Sequence, residues 1–275
     1  MNGRTKKGLL VTQQPLWNIV FDEQRFLLDP SGHPIAQLAS FREPTPGHSF
    51  CFPGIGMVGI RFAAGGSDPS AYCYGVLQKP DHVQMDEIRK GFYARMYPGE
   101  FSKLFGIPTA EISPYGIPLE NLMSVKPYLD VIAATNTIEE FQTLFCRMVQ
   151  SIRTEEHRDE LHERVVAYMV QTILRQPDEV SLDSIVQQTG YSRRHINNLF
   201  HRYVGAAPKQ LSDQIRFQRA MQACLTSETN LSSIASEFGY YDQSHFNREF
   251  RAFSSMSPHE LKNLIAERDS GFQAP

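Results

Sequence analysis

The 275-residue chain has only four cysteines, and they are scattered. Cys51, Cys73, Cys146 and Cys224 form no Cys-x-x-Cys pair and share no spacing with histidines. That argues against a zinc site and a disulfide framework, and leaves ordinary buried thiols as the reading. No apolar run approaches the roughly eighteen residues that a membrane span needs. The opening "MNGRTKKGLLVTQQPLW" has a basic start but only a short apolar run. It is too short for a signal peptide, so a cytoplasmic location is expected. Positive charge is not in excess either: 27 Lys/Arg stand against 30 Asp/Glu, a net charge of −3. That balance argues against a protein that coats nucleic acid by bulk electrostatics. No Ser/His/Asp or Cys/His arrangement can be assembled from the spacing, and His33, His48 and His82 stand too far apart to suggest a metal. The chain therefore reads as a non-enzyme, with neither cofactor nor metal expected.

A composition of 41% hydrophobic and 21% charged residues describes a globular protein, and the length suits two domains. Up to about residue 98 the pattern is of short strands: "QRFLLD", "IAQLASF", "SFCF", "GIRFAA", "AYCYGVL" and "GFYARMY", punctuated by Gly and Pro as in a sandwich or barrel. Helical periodicity follows. Thr137 and Glu140 make a capping box ahead of Ile138, Phe141, Leu144, Phe145, Met148 and Ile152 on one face. The polar stretch 153–160 marks a boundary, so the expected domains are 1–155 and about 158–268. Beyond it, only helices are expected. The fold class is α+β: a β-rich N-terminal domain with trailing helices, then an all-α C-terminal domain.

One stretch of that second domain, "YSRRHINNLFHRYVGAAP" at 191–208, holds three arginines, two histidines and two asparagines without one acid. The chain repeats its plan some fifty residues later. Ile185 falls on Ile234 and Gly190 on Gly239 at an offset of 49, and Ile196 falls on Phe246, Phe200 on Phe250 and Pro208 on Pro258 at an offset of 50. Such repetition points to a duplicated supersecondary unit with one extra residue in the second turn. Each copy opens on an N-cap residue, Ser181 or Asn230, and a first helix stops at Gly190 or Gly239, where glycine can turn left-handed. That is a helix-turn-helix, at about 181–203 and again at about 230–253. In each second helix the apolar residues face inward. Arg193, Arg194, Asn197, Asn198 and His201 are left outward in one copy, and Gln243, Ser244, Asn247, Arg248 and Arg251 in the other. Arginine can fork onto guanine, and asparagine and glutamine can pair with adenine. Ser192, Arg193, Arg202 and Arg251 suit phosphates. A solvated helical bundle explains one such pattern as well as DNA does, but two copies favour DNA. Between them a helix of about eighteen residues opens at Pro208 and reaches about 27 Å, of the order of the ~34 Å between successive major-groove faces.

These residues resemble the DNA-binding domain of AraC/XylS-type bacterial transcription regulators. The likeness runs from about 160 to 265 and is concentrated in "IASEFGYYDQSHFNREF", with Ile234, Ala235, Gly239, Phe246, Arg248 and Phe250 in place and Ser257 and Pro258 closing it. Arg216 and Ala220 fit the family's linker helix. Ser255 stands where a glycine is usual, Tyr240 replaces the commoner Phe, and Leu261 with Lys262 replaces an aromatic followed by Arg. The resemblance implies two helix-turn-helix units on one linker helix. It assigns base reading to Arg194, Asn197, Asn198, Gln243, Ser244 and Arg248. It turns His195 toward the DNA backbone and gives His245 a structural role.

"GIGMVG" at 54–59 spells the dinucleotide fingerprint, yet it runs into a strand, so a hairpin or bulge is expected and no nucleotide site. The segment 94–122 resembles, more faintly, N-terminal domains of some AraC-type regulators. That likeness implies a small-molecule effector inside the β-rich domain and a homodimer through helix 138–152, a helix that reads equally as an intramolecular core element. The function expected is a sequence-specific regulator of transcription, an activator that contacts RNA polymerase and binds double-stranded promoter DNA, with no membrane partner. The alternative is an enzyme of the DNA-repair type with an appended DNA-binding domain. It needs a nucleophilic cysteine in a Pro-Cys-His-like setting, which none of the four has.

Overall fold

The computed structural model describes residues 23–42, 49–52, 57–64, 70–77, 81–84, 90–152, 159–177, 181–226 and 229–269. Seven strands occupy the first part: β1 Glu23–Leu28, β2 Pro34–Arg42, β3 Ser49–Phe52, β4 Val58–Ala64, β5 Ser70–Tyr74, β6 Asp81–Gln84 and β7 Lys90–Met96. All six strand segments read from the sequence fall on them. An eighth, Ile117–Pro118, is a two-residue edge strand that the sequence does not announce; its proline suits an edge. The main sheet is antiparallel in the order β1-β2-β7-β4-β5-β8, and β3 pairs with β6 in a second sheet. Of the glycine-rich decoy only Met57–Gly59 is described, and it leads straight into β4; Gly54–Gly56 lie outside the described residues.

Alternation along the strands sorts the main sheet into two faces. Leu38, Ile60, Phe62, Phe92, Ala94 and Met96 pack into one core with α3, residues Ile138–Ile152. Phe92 stacks on Phe141 with centroids 4.4 Å apart. The capping box of α3 forms as read, Thr137 N–H donating to Glu140 and Glu140 N–H to Thr137 Oγ1. Ile138, Phe141, Phe145 and Met148 are all spent on this core. The packing makes this face of the helix part of the N-terminal core. Two shorter helices, α1 Glu100–Phe105 and α2 Lys126–Ala134, complete this part.

From residue 159 the described chain is helical: α4 Glu160–Arg175, α5 Leu182–Thr189, α6 Arg193–Val204, α7 Pro208–Thr226, α8 Leu231–Glu237, α9 Gln243–Ser254 and α10 Pro258–Asp269. Helix α7, with 19 residues, spans about 28 Å at 1.5 Å per residue. Its N-terminal half gives Leu211 and Ile215 to a core with α4, α5 and α6. Its C-terminal half gives Phe217, Ala220, Met221 and Cys224 to a separate core with α8, α9 and α10. The two parts of the molecule touch at the end of α6. Thr109 Oγ1 donates to the Tyr203 carbonyl at 2.7 Å, and Gln214 Nε2 to the Leu77 carbonyl at 3.0 Å. Gly205 has φ +79, and a Cβ there would lie 2.7 Å from the Thr109 methyl, so only glycine fits both the turn and the contact.

Both helical cores draw on residues 165–261 alone. A fragment spanning 158–275 is therefore expected to fold by itself and to retain DNA binding. Circular dichroism checks this: a helical spectrum with a cooperative melt is expected, and an unfolded fragment would refute the boundary.

Candidate nucleic-acid interface

The local geometry of each recognition helix follows from its caps. In the first unit Ser181 caps α5 by accepting from Ser184 N–H, and Gly190 ends it at φ 72. Ser192 then caps α6 by accepting from His195 N–H. In the second unit Asn230 accepts from Ser233 N–H and Asp242 from His245 N–H. Each cap satisfies a backbone donor that helix geometry leaves over, and so fixes where the helix starts. The same device, repeated at offsets of 49 and 50, gives two like-built units.

Apolar spacing sets which way each helix turns. Ile196, Leu199, Phe200 and Val204 are buried under α6, while Ser192, Arg193, Arg194, Asn198, His201 and Arg202 are exposed and Asn197 is half-buried. Phe246 and Phe250 anchor α9, leaving Gln243, Ser244, Arg248 and Arg251 exposed. The expected base readers thus share the outward faces of two helices. Four of the expected contact residues already have protein neighbours. Arg193 is paired with Asp183 of α5 through two guanidinium nitrogens. Arg251 lies 3.8 Å from Glu260. Asn198 and Arg202, with His201, line a cleft of about 290 Å³ against Pro108, Ala110 and Glu111. The outer face of α6 is thus clear at its N-terminal end and bordered by the N-terminal part of the molecule near its C-terminal end.

His195 and His245 each pack on a neighbouring tyrosine. His195 rests on Tyr191, with ring centroids 4.5 Å apart, and its Nε2 lies 3.4 Å from that of His162. His162 Nδ1 is in turn 2.5 Å from Asp159. His245 packs edge-on against Tyr240 and accepts at Nδ1 from Tyr241 N–H. Among the described residues no group of three or more His, Cys, Asp or Glu is placed to hold a metal.

What orients the second unit is Arg216 of α7. Its guanidinium stands over the Tyr240 ring at 5.0 Å and within ion-pair distance of Asp213 and Glu249, at 3.0 and 3.4 Å. Burial opposes its charge, but Asp213 and Glu249 together outweigh burial and hold the pKa above the ordinary arginine value. Farther along α7, Arg219 donates to the Leu174 and Arg175 carbonyls, at the end of α4 where helical carbonyls lack partners. Sequence reasoning placed Arg216 but not its partners, which come from three different elements. It also missed Asp183 beside Arg193, since i,i+10 residues adjoin only across a turn. At Ser255, where glycine is usual in the resemblance, the backbone is left-handed at φ 59. The structure keeps the glycine's geometry with a serine, at a strain of the order of 1 kcal/mol.

Three of the four cysteines are held as thiols by burial; the side chain of Cys51 lies outside the described residues. Burial pushes the Cys73 and Cys146 thiols up, and burial pushes Cys224 up to about 11. A reactive thiolate needs the opposite shift.

Residues 185–263 match a helix-turn-helix domain family. The chain is similar to the HTH-type transcriptional activator RhaS of Escherichia coli O139:H28, with 27% identity over 85 residues, 31% of each chain. It is also similar to the HTH-type transcriptional regulator ArgR of Pseudomonas aeruginosa, with 27% identity over 86 residues, 31% of this chain and 26% of that one. The chain thus spans about a third or less of the length of these relatives. Among solved structures, ToxT from Vibrio cholerae covers 84% of this chain and 98% of its own at 11% identity and a TM-score of 0.48.

Proposed function

We propose, from the AraC-type helix-turn-helix domain that this chain carries, that it is a sequence-specific DNA-binding regulator of transcription. The observation that carries the reading is the pair of outward faces on α6 and α9, rich in Arg, Asn and Gln and held on one linker helix. One chain can then offer two helices to adjacent major-groove segments of double-stranded promoter DNA. In this reading Arg194, Asn197, Asn198, Gln243, Ser244 and Arg248 read bases, and Ser192, Arg193, Arg202 and Arg251 take phosphates. Asn198 and Arg202 act once DNA displaces or fits beside the Thr109–Glu111 turn. The raised thiols weigh against the DNA-repair alternative, and no described helix is long and apolar enough to cross a membrane.

The sign of regulation proposed is activation through contact with RNA polymerase, in keeping with RhaS, which is an activator. A small organic effector is proposed for the N-terminal part. There the sheet face opposite α3 presents Arg61 between the Tyr72 and Tyr74 rings, with buried Arg95 donating to Gln37. Such a mix of apolar walls and a few polar groups is what a ligand site needs. The side chain of His82, on β6, lies outside the described residues. A thermal-shift screen of the full chain against metabolite pools tests the effector. A stabilising compound that alters DNA affinity is expected, and the sensor role falls if none stabilises the chain and deleting the N-terminal part leaves promoter response unchanged.

For the DNA reading, a duplex selected by the wild-type chain from a randomised pool is the probe. Arg194→Ala and Arg248→Ala should each lose about 1–3 kcal/mol of discrimination at one base position. Arg202→Ala should weaken all sequences alike and flatten the salt slope by about one unit. Equal loss on selected and random DNA for Arg194→Ala would overturn its assignment. A template bearing the selected site should give more transcript with the chain present; less transcript would make it a repressor.

A further inference from the structure

The two helix-turn-helix copies differ by one residue, and the structure shows which residue it is. Between the turn glycine and the second N-cap, the first copy has only Tyr191, whereas the second has Tyr240 and Tyr241. Tyr191 packs on His195, three residues into α6, and Tyr240 packs on His245, three residues past the equivalent cap, and on Phe246. Tyr240 is therefore the counterpart of Tyr191. Tyr241 is the added residue, and it is 92% exposed, more than any other large hydrophobic residue described. Its backbone is not loose: Tyr241 N–H donates to His245 Nδ1 at 3.4 Å, which folds the turn back onto the first turn of α9.

Single exposed apolar residues are common on protein surfaces and mean little alone. Here the ring stands directly before the cap of the second recognition helix, beside Gln243 and Ser244. The N-terminal end of such a helix is the end that enters the groove, and the strands of the duplex pass on either side of it. The adjoining carboxylate, Asp242, is occupied as the cap, accepting from His245 N–H at 2.6 Å. A tyrosine in this place has a hydroxyl that can donate to a phosphate oxygen and a ring that can lie along the sugar.

We propose that Tyr241 is a DNA-backbone contact that positions α9, a contact present in the second unit and missing from the first. It rests on the regulator reading above and carries no sequence information of its own. Because the phenol is neutral, its contact releases no counterion, so it contributes affinity without adding to the salt slope.

The test uses the full chain with two duplexes of equal length, one selected from a randomised pool and one of random sequence, titrated by fluorescence anisotropy over a range of salt. Tyr241→Phe removes only the hydroxyl and should weaken both duplexes about three- to tenfold, the worth of one hydrogen bond. Tyr241→Ala should weaken both at least as much, with base preferences and salt slope unchanged and a thermal melt like that of the wild type. Wild-type affinity for both duplexes in Tyr241→Ala overturns the proposal, as does a loss confined to one base position. If the wild-type chain binds neither duplex, the regulator reading itself fails and takes this one with it, an outcome distinct from wild-type binding that ignores the substitution.

Discussion

A single helix shared by two hydrophobic cores is the constraint on which the DNA-facing geometry depends. Leu211 and Ile215 at one end of α7 belong to the core under the first recognition helix, and Phe217, Met221 and Cys224 at the other end belong to the core under the second. Side chains in a close-packed core cannot slide without loss of contact. The two outward faces therefore keep a fixed separation and rotation. Arg216 adds a polar lock at the middle of the spine, where Tyr240, Asp213 and Glu249 converge on one guanidinium. Arg219 ties the same helix back to the end of α4.

Much of this was legible in the sequence because it rests on local rules. Caps at Ser181 and Asn230 need only the residue and its spacing, and the turns at Gly190 and Gly239 need only a missing Cβ. Apolar spacing in turn decides that Arg194 and Arg248 face out while Phe200 and Phe250 face in. Six strand segments were readable as short runs punctuated by Gly and Pro, but that Phe62 and Phe92 face the core while Arg61 and Arg95 lie on the other face came only with the structure. What could not be read depends on residues distant in sequence. The strand order, with β7 between β2 and β4, is one instance. The partners of Arg216 and the cleft in which Asn198 and Arg202 meet Glu111 are others. Tyr241 lies between the two cases: the extra residue was visible as a change of offset, but only packing shows that Tyr240 goes in and Tyr241 stays out.

The junction between the two parts gives the N-terminal half a physical route to the half proposed to face DNA. Gly205, just past α6, lies against Thr109 and Val76, Ala206 joins the N-terminal core, and Gln214 of the shared helix bonds to the Leu77 carbonyl. A change in the strand-rich part that moved the Thr109–Glu111 turn would thus be felt at the end of a recognition helix. A ligand can shift that balance only by as much as its affinity differs between the two arrangements.

The central claim is that one chain presents two recognition helices to one face of the duplex. Methylation protection of guanine N7 by the full chain on a selected duplex tests it most directly. The account predicts two clusters of protected major-groove positions, separated by about one helical turn, 10–10.5 base pairs. A single protected cluster, or two whose spacing places them on opposite faces of the DNA, would contradict it.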